Sequence, residues 1–408
     1  MKLISFFLLT FLLSFSGFSQ TSDDALQGLR VDVVYLSSNL MEGRAAGSPG
    51  EALAAEYIAS RFAEEGLQPK GTDGTWFQPF DFKIKANPHS DAGGKEGTGK
   101  NVVAFLDNSA PSTVIIGAHY DHLGYGMSGS SLYVGDPAVH NGADDNASGV
   151  AAMLYLAHYL KNSQAKHNNY LFIAFSGEEL GLYGSKSFAN NPTIDLSTAN
   201  YMLNMDMVGR LNEEKVLAIN GAGTSPIWKD ELAKITAGGI KTKTTDSGIG
   251  PSDHTSFYLK DIPVLHFFTG QHTDYHKPTD DSELVNYDGI YEVAQFMATL
   301  IENLDGQGRL AFTKTKDEQK EASSFKVTLG VMPDYVYDGE GMRIDAVLDD
   351  RPAEKAGLKA GDIVIQIGDV EVKDIYGYME GLGKFNKGDK ATVKVKRKDK
   401  VVEAEVVF

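Results

Sequence analysis

The sequence predicts an α/β protein: a mostly parallel central sheet with helices on both faces, followed by a small β-rich domain. Three observations predict it. Short continuous Val/Ile/Leu/Phe runs recur at 101–107, 113–119, 169–176, 199–209, 215–221 and 263–270. Helical stretches separate several of them, clearest at 148–161 and 226–236, and strands buried on both faces between helices are the mark of a parallel sheet. After residue 305 a polar stretch without apolar periodicity gives way to the short runs VTLGVM, GMRIDAVL, DIVIQIG, ATVKVKRK and VVEAEVVF.

Taken in order, the 408 residues open with MKLISFFLLTFLLSFSGFSQ. Lys2, an apolar run from Leu3 to Leu13 and the small residues Gly17 and Ser19 predict a signal peptide over 1–19. The run is short for a bilayer span, which makes a retained anchor the weaker reading. The expectation is an exported protein, periplasmic or extracellular, with no membrane anchor after cleavage. Residues 20–304 form the main domain. Within it, 32–69 reads as helical, with apolar residues at helical spacing in EALAAEYIASRFAEEGL and Gly66 as a stop. The Gly-, Lys- and Ser-rich 71–101 reads as strands joined by a loop, and 287–304 as the last helix. A linker over 305–324 and a β-rich domain over 325–408, with a helix near 352–356, complete the chain.

Composition narrows the chemistry. The net charge of −17 repels nucleic acid and excludes it as the expected partner. The basic cluster from Lys387 to Lys400 reads as the alternating solvated face of strands. With no cysteine, thiolate metal sites, a cysteine nucleophile and a lipid-bearing N-terminal cysteine are all excluded. Any metal is held by His and carboxylate.

Several such residues stand where predicted strands end. His119 and Asp121 follow TVIIGA, Asp144 and Asp145 lie in NGADDNASG before a helix, and Glu178 and Glu179 follow NYLFIAFSG. Asp206 ends ANYMLNM, and Tyr275 with His276 comes shortly after PVLHFFTG. Each alone has an ordinary explanation: a structural histidine, a helix cap, a solvated acidic face. Ligands of doubly wound sheets bind outside the carboxyl ends of the strands, so these positions converge on one crevice. Carboxylates crowded there need protons or cations to neutralise them. Nitrogen and oxygen donors suit zinc.

The segments GAHYDH, GADDNASG, FSGEELGLYGS, NMDMVGR, SDHTSF and YHKPTDD, in that order, resemble the co-catalytic di-zinc aminopeptidase family. Its superfamily includes glutamate carboxypeptidase II and the single-zinc glutaminyl cyclases. The resemblance spans about 28–304, including EGRAAGSPGEALAAEYI, and implies a fold of the zinc exopeptidase type. It implies two Zn2+ per chain, with manganese or cobalt as alternatives. His119 and Asp206 then hold one ion, Glu179 and His276 the other, and Asp145 bridges them. Asp145 rather than Asp144 matches because it stands four residues before Gly149. A cis peptide after the bridging aspartate is also implied. Glu178, next to a ligand, is placed to act as general base. Tyr275 is placed to donate to an oxyanion, and Asp121 to accept the second ring N–H of His119. His122, His140 and His272 are candidates to line the site, His254 reads as structural, His158 as ordinary surface or core, and Arg210 as the partner of a nearby acid.

TLGVM and DDRPAEKAGLKAGDIVIQIGDVEV resemble a PDZ domain of the bacterial protease type. The resemblance implies that Leu329, Gly330 and Val331 form a carboxylate-binding loop beside which a peptide or protein C-terminus adds as a strand. Packing against the catalytic domain is the alternative role. The expected function is a zinc-dependent aminopeptidase that hydrolyses N-terminal residues from peptides through a metal-bridging hydroxide. A carboxypeptidase or dipeptidase on the same scaffold is the alternative within enzymes, and a catalytically inactive secreted PDZ adaptor the alternative of another class.

Overall fold

Strand β4 (Thr113–His119) is buried at all seven positions, so both of its faces are covered. The computed structural model describes residues 22–87, 90–127, 130–315, 327–333, 337, 339–347, 351–398 and 400–408. The segment expected to be a signal peptide, 1–19, lies outside them. β4 pairs in parallel with β5 (Asn169–Phe175) on one side and β6 (Ala199–Met205) on the other. β6 in turn pairs in parallel with β9 (Val264–Phe268). These four neighbours are the parallel heart of a nine-stranded sheet.

Outside them the sheet turns antiparallel. β3 (Ser90–Leu106) runs against β5 and carries β1 (Gln68–Pro69) and β2 (Phe77–Asn87). At the other edge β7 (Val216–Asn220) runs against β9 and pairs in parallel with β8 (Lys241–Thr244). The strands expected within 71–101 are thus a long β2–β3 hairpin. Short apolar runs show that a strand is buried but not which way it points, so the antiparallel edges were not readable in advance.

Alternation along the strands separates two cores. Val114, Ile116 and Ala118 share one core with α1 (Ser22–Leu36), α2 (Pro49–Glu64), α3 (Gly149–Asn162) and α7 (Tyr287–Leu304). Ile115, Ile173 and Phe175 face the other core with Phe188 of α4 (Tyr183–Asn190) and Phe257 of α6 (His254–Tyr258). A short α5 (Trp228–Lys234) covers the first side. Helix α2 begins where Ser48 accepts the N–H of Glu51 and ends at Gly66, whose φ of 70° suits the left-handed turn after a helix. Among the described residues no helix is long and apolar enough to cross a membrane.

The expected linker differs in its first half. Leu310 is buried in the main core, Phe312 packs on Tyr258 with ring centroids 5.6 Å apart, and the Thr313 N–H donates to the Thr224 carbonyl. Residues 305–315 are therefore fastened to the main domain by two isolated apolar side chains, a signal without periodicity. The C-terminal unit has its own antiparallel sheet, ordered β10 (Val331–Pro333), β11 (Met342–Val347), β12 (Ile363–Ile367), β14 (Lys390–Arg397) and β15 (Lys400–Val407), with β13 (Val370–Glu371) on β12. Helices α8 (Pro352–Lys355) and α9 (Ile375–Gly383) complete it. Its core contains Leu329, Ile344, Val364, Val393 and Val395. On β14 the buried Ala391, Val393 and Val395 alternate with lysines at 390, 394 and 396, as the basic cluster predicted.

Candidate metal centre

The carboxyl ends of β5, β4, β6 and β9 stand side by side, and each delivers its residues to one crevice. His119 is the last residue of β4, Asp206 follows the last residue of β6, and Glu178 and Glu179 follow β5. His276 lies in the loop after β9, with φ of 55°. Asp145 comes from the turn of 143–148 that leads into α3, and the peptide between Asp145 and Asn146 is cis.

Asp145 stands between two histidines. Its Oδ1 is 3.3 Å from His119 Nε2 and its Oδ2 is 3.2 Å from His276 Nε2. His119 Nε2 is also 3.3 Å from Asp206 Oδ1, and His276 Nε2 is 3.2 Å from Glu179 Oε2. The carboxylates thus form two donor groups that share one residue. His119, Asp145 and Asp206 offer ligand atoms within 4.8 Å of one another, and so do His122, Asp145 and Glu179. Hard oxygen and imidazole nitrogen donors in this number fit two divalent ions of the zinc type.

Burial and neighbouring charge pull the ionisation of these groups in opposite directions. Burial opposes charge on His276, yet Glu179 and Asp145 outweigh it and push its pKa up to about 11. Burial would likewise raise Glu179, but His276 and His122 bring it down to about 2. His119 is held well above its usual value by Asp206 and Glu178 against its burial. Protons on the two histidines thus stand in for the positive charge that three carboxylates demand. Glu178 goes the other way: burial first, then Asp206 and Glu179, push it well above the usual carboxylate range. Burial and the same carboxylates raise the Tyr275 hydroxyl, which stays a neutral donor; its ring stacks on His276 at 3.8 Å.

Backbone contacts fix the histidines. His276 Nδ1 lies 2.8 Å from the Ser130 carbonyl, and the Leu132 N–H donates to the His276 carbonyl at 3.0 Å, so the loop at 130–132 holds this residue from both ends. With Nδ1 protonated against a carbonyl, Nε2 is left to face the cluster. His119 departs from expectation. Its Nδ1 is 3.2 Å from the backbone carbonyl of Asp121, whereas the Asp121 carboxylate is 3.8 Å away. That carboxylate instead accepts the Glu178 N–H at 3.1 Å. Asp121 therefore fixes His119 through its main chain and the Glu178 turn through its side chain, because the chain bends back directly after β4.

Asp144 points away from the shared carboxylate. Its Oδ1 accepts from the Gly209 N–H at 2.6 Å and from Ser148 Oγ at 3.0 Å, and His272 Nε2 lies 3.1 Å from Oδ2. Arg210 meets Asp274 at 3.2 Å and Asp280 at 3.4 Å, the acid pairing expected of it. His254 is buried and stacks on His266 at 4.6 Å, and His158 bonds Glu65 near the surface. His140 bonds Ser131 in the loop that holds His276.

Five residues were missed. Asp280 accepts the N–H groups of both Asp144 and Asp145 on one oxygen, at 2.9 and 3.0 Å. Asn146 donates to the carbonyls of His119 and Met205 and accepts from the N–H groups of Met207 and Gly149, tying β4, β6 and α3 together. Arg44 is fully buried and donates to the carbonyls of Leu36, Tyr120, Asn141 and Gly142. Glu51 accepts from Ser176 Oγ at 2.5 Å and from the N–H groups of Gly47 and Lys100. Asp253 is buried and feels the charges of His119 and Asp206. The only sequence signal for these was their presence inside the quoted segments or next to a ligand.

Residues 101–301 match peptidase family M28, and 312–407 match the PDZ domain family. The chain carries an M28 peptidase domain followed by a PDZ domain. The leupeptin-inactivating enzyme 1 of Streptomyces exfoliatus is 31% identical over 183 residues, which is 44% of this chain and 37% of that protein. The chain thus spans well under two thirds of that relative's length. Among solved structures, an aminopeptidase from Aneurinibacillus sp. strain AM-1 superposes with a TM-score of 0.55 at 19% identity, covering 72% of this chain and 96% of that one. A Bacteroides thetaiotaomicron glutaminyl cyclase bound to N-acetylhistamine also reaches a TM-score of 0.55, at 18% identity over 70% and 98%. The M28 fold is therefore shared with enzymes of two chemistries, and the site has to discriminate between them.

In the PDZ domain, Leu329 is buried in the core, and its carbonyl accepts the Ala353 N–H. Gly330 adopts φ of 73°, and its N–H donates to Thr328 Oγ1 at 2.9 Å. Val331 opens β10, which is the end strand of its sheet in the observed order.

Proposed function

We propose that this protein is an exported di-zinc metallopeptidase that removes N-terminal residues from peptides. The observation that carries this reading is the shared carboxylate: Asp145 faces His119 with one oxygen and His276 with the other, at 3.3 and 3.2 Å. A second donor group around Glu179 and His276 is what a two-ion site needs and a one-ion site does not. His119, Asp206 and Asp145 would hold one ion, and Glu179, His276 and Asp145 the other. When bound, such ions lower the pKa of a water between them and polarise the scissile carbonyl.

The chain's own groups do the rest. Glu178, whose N–H is pinned by Asp121, takes the proton of the attacking water on its carboxylate and delivers it to the leaving amine. Burial first, and then Asp206 and Glu179, raise its pKa, the direction that suits a group that takes up a proton and returns it. Tyr275 keeps its hydroxyl proton and donates it as a hydrogen bond to the developing oxyanion. Residues 1–19 support export, and β10, the end strand of its sheet among the described residues, suits addition of an extended peptide to the PDZ sheet.

The test uses the full chain, with metal analysis before and after each change. Glu178→Gln is expected to keep its metal and lose about 100- to 10,000-fold in kcat. N-acetylation of the substrate should abolish turnover; undiminished cleavage of the acetylated peptide would indicate a carboxypeptidase instead. Full activity after exhaustive chelation would remove the metal reading.

A further inference from the structure

Glu179 has two carboxylate oxygens, and the ligand set above uses one. Oε2 faces His276, while Oε1 lies 2.8 Å from Nδ1 of His122, a residue outside that set. The His122 side chain is completely buried. Gly142 leaves the room for it: at φ of 58°, a Cβ there would stand 2.6 Å from the imidazole ring. The His122 N–H donates to the Arg44 carbonyl, and its ring stands edge-on to His276 at 5.8 Å. The ring is thus fixed from three sides, with Nδ1 directed at Glu179 and 3.9 Å from Asp145 Oδ2.

Proton inventory separates two roles. His122 Nε2 is buried and has no hydrogen-bond partner among the described residues. Were Nδ1 a lone-pair ligand, the ring proton would sit on Nε2 as a buried N–H without an acceptor, which costs about 1–3 kcal/mol. With the proton on Nδ1, it is donated to a carboxylate at the length of a charge-assisted bond, and Nε2 is left merely with an unused lone pair.

We infer that His122 is a positioning residue: its Nδ1–H holds Glu179 Oε1 so that Oε2 alone is presented to the ion at the Glu179–His276 side. A carboxylate held this way binds through one oxygen and cannot swing to chelate with both, which keeps the two-ion spacing set by Asp145. The inference rests on the two-ion reading of the site.

The test replaces His122 with Asn, Gln and Leu in the full chain and measures zinc per chain and zinc affinity by competition with a chromophoric chelator. The Asn amide N–H takes the place of Nδ1, whereas the Gln amide reaches only the place of Nε2. For Leu and Gln, one of two zinc ions should bind roughly 10- to 100-fold more weakly, the other unchanged. Asn should recover most of the loss. Far-UV circular dichroism of the chelated variants reports whether each is folded, and the Asn–Gln comparison serves if Leu is not. Two ions in the wild type with both affinities unchanged in Gln and Leu overturns the inference alone. Asn binding as poorly as Gln overturns it in favour of Nδ1 as a ligand. Fewer than two ions in the wild type overturns the two-ion reading, and this inference with it.

Discussion

Replacing Arg44 with Met should destabilise the peptidase domain by several kcal/mol without touching any proposed ligand. The guanidinium is fully buried and makes four bonds, to the carbonyls of Leu36 at 2.5 Å, Tyr120 at 2.7 Å, Asn141 at 2.7 Å and Gly142 at 2.9 Å. Bonds to a charged group contribute about 1.5–3 kcal/mol each. Burial of the cation itself, which brings its pKa down to about 10, offsets roughly 3 kcal/mol of that. Removing the guanidinium leaves four carbonyls without this donor, at about 1 kcal/mol or more each, for a net loss of about 3–5 kcal/mol. At about 2–4 °C per kcal/mol, the melting temperature should fall by roughly 10 °C. Both tryptophans, Trp76 and Trp228, lie in the peptidase domain, so their fluorescence reports its thermal unfolding without interference from the PDZ domain. Arg44→Lys should recover little, because one ammonium cannot reach carbonyls arranged around a planar fork. A fall of less than about 2 °C in the Met variant would refute the account of Arg44 as a brace.

Two further outcomes follow from the same interior. Burial first, and then Asp206, push Asp253 up to about 6 from an ordinary 3.8, against the opposing pull of His119 and Lys186. A carboxyl with a raised folded pKa binds more protons folded than unfolded, so stability falls as pH rises from about 4 to 6 and stays low above. Asp253→Asn should therefore stabilise the chelated protein more at pH 8 than at pH 4, by up to about 3 kcal/mol in urea unfolding. An equal gain at both pH values would contradict this. At Gly142 an added Cβ would lie 2.2 Å from the Asp145 carbonyl. Gly142→Ala should lower zinc content together with stability, and a variant with wild-type zinc content would show that the turn yields at little cost.

The central strands, and the placement of the five proposed ligands near their ends, were legible because they obey repeating rules. A strand buried on both faces must be a continuous apolar run, and a ligand at a strand end sits next to such a run. That placed His119 and Asp206 in one crevice, and the family resemblance implied their roles. Asp121 shows the limit: its proximity to His119 was readable, but not that the main chain and the side chain divide two tasks. Arg44, Asp280 and the bond of His122, expected only to line the site, were opaque for a related reason. Their partners are backbone carbonyls, backbone N–H groups and the unused oxygen of a ligand, which carry no residue type to recognise. The antiparallel edges were opaque because direction leaves no trace in a short apolar run.

The bonds of Arg44 and Glu51 reach far along the chain. Arg44 meets a carbonyl 98 residues later, and Glu51 meets Ser176, 125 residues later. Both residues precede the 101–301 span that matches the M28 family. During synthesis these two side chains complete their bonds only once residues 142 and 176 have joined the chain. For anyone grafting or trimming this catalytic unit, the start of the recognisable motif is the wrong place to cut: a fragment starting at residue 101 would carry every proposed ligand and lack the residues that hold their loops.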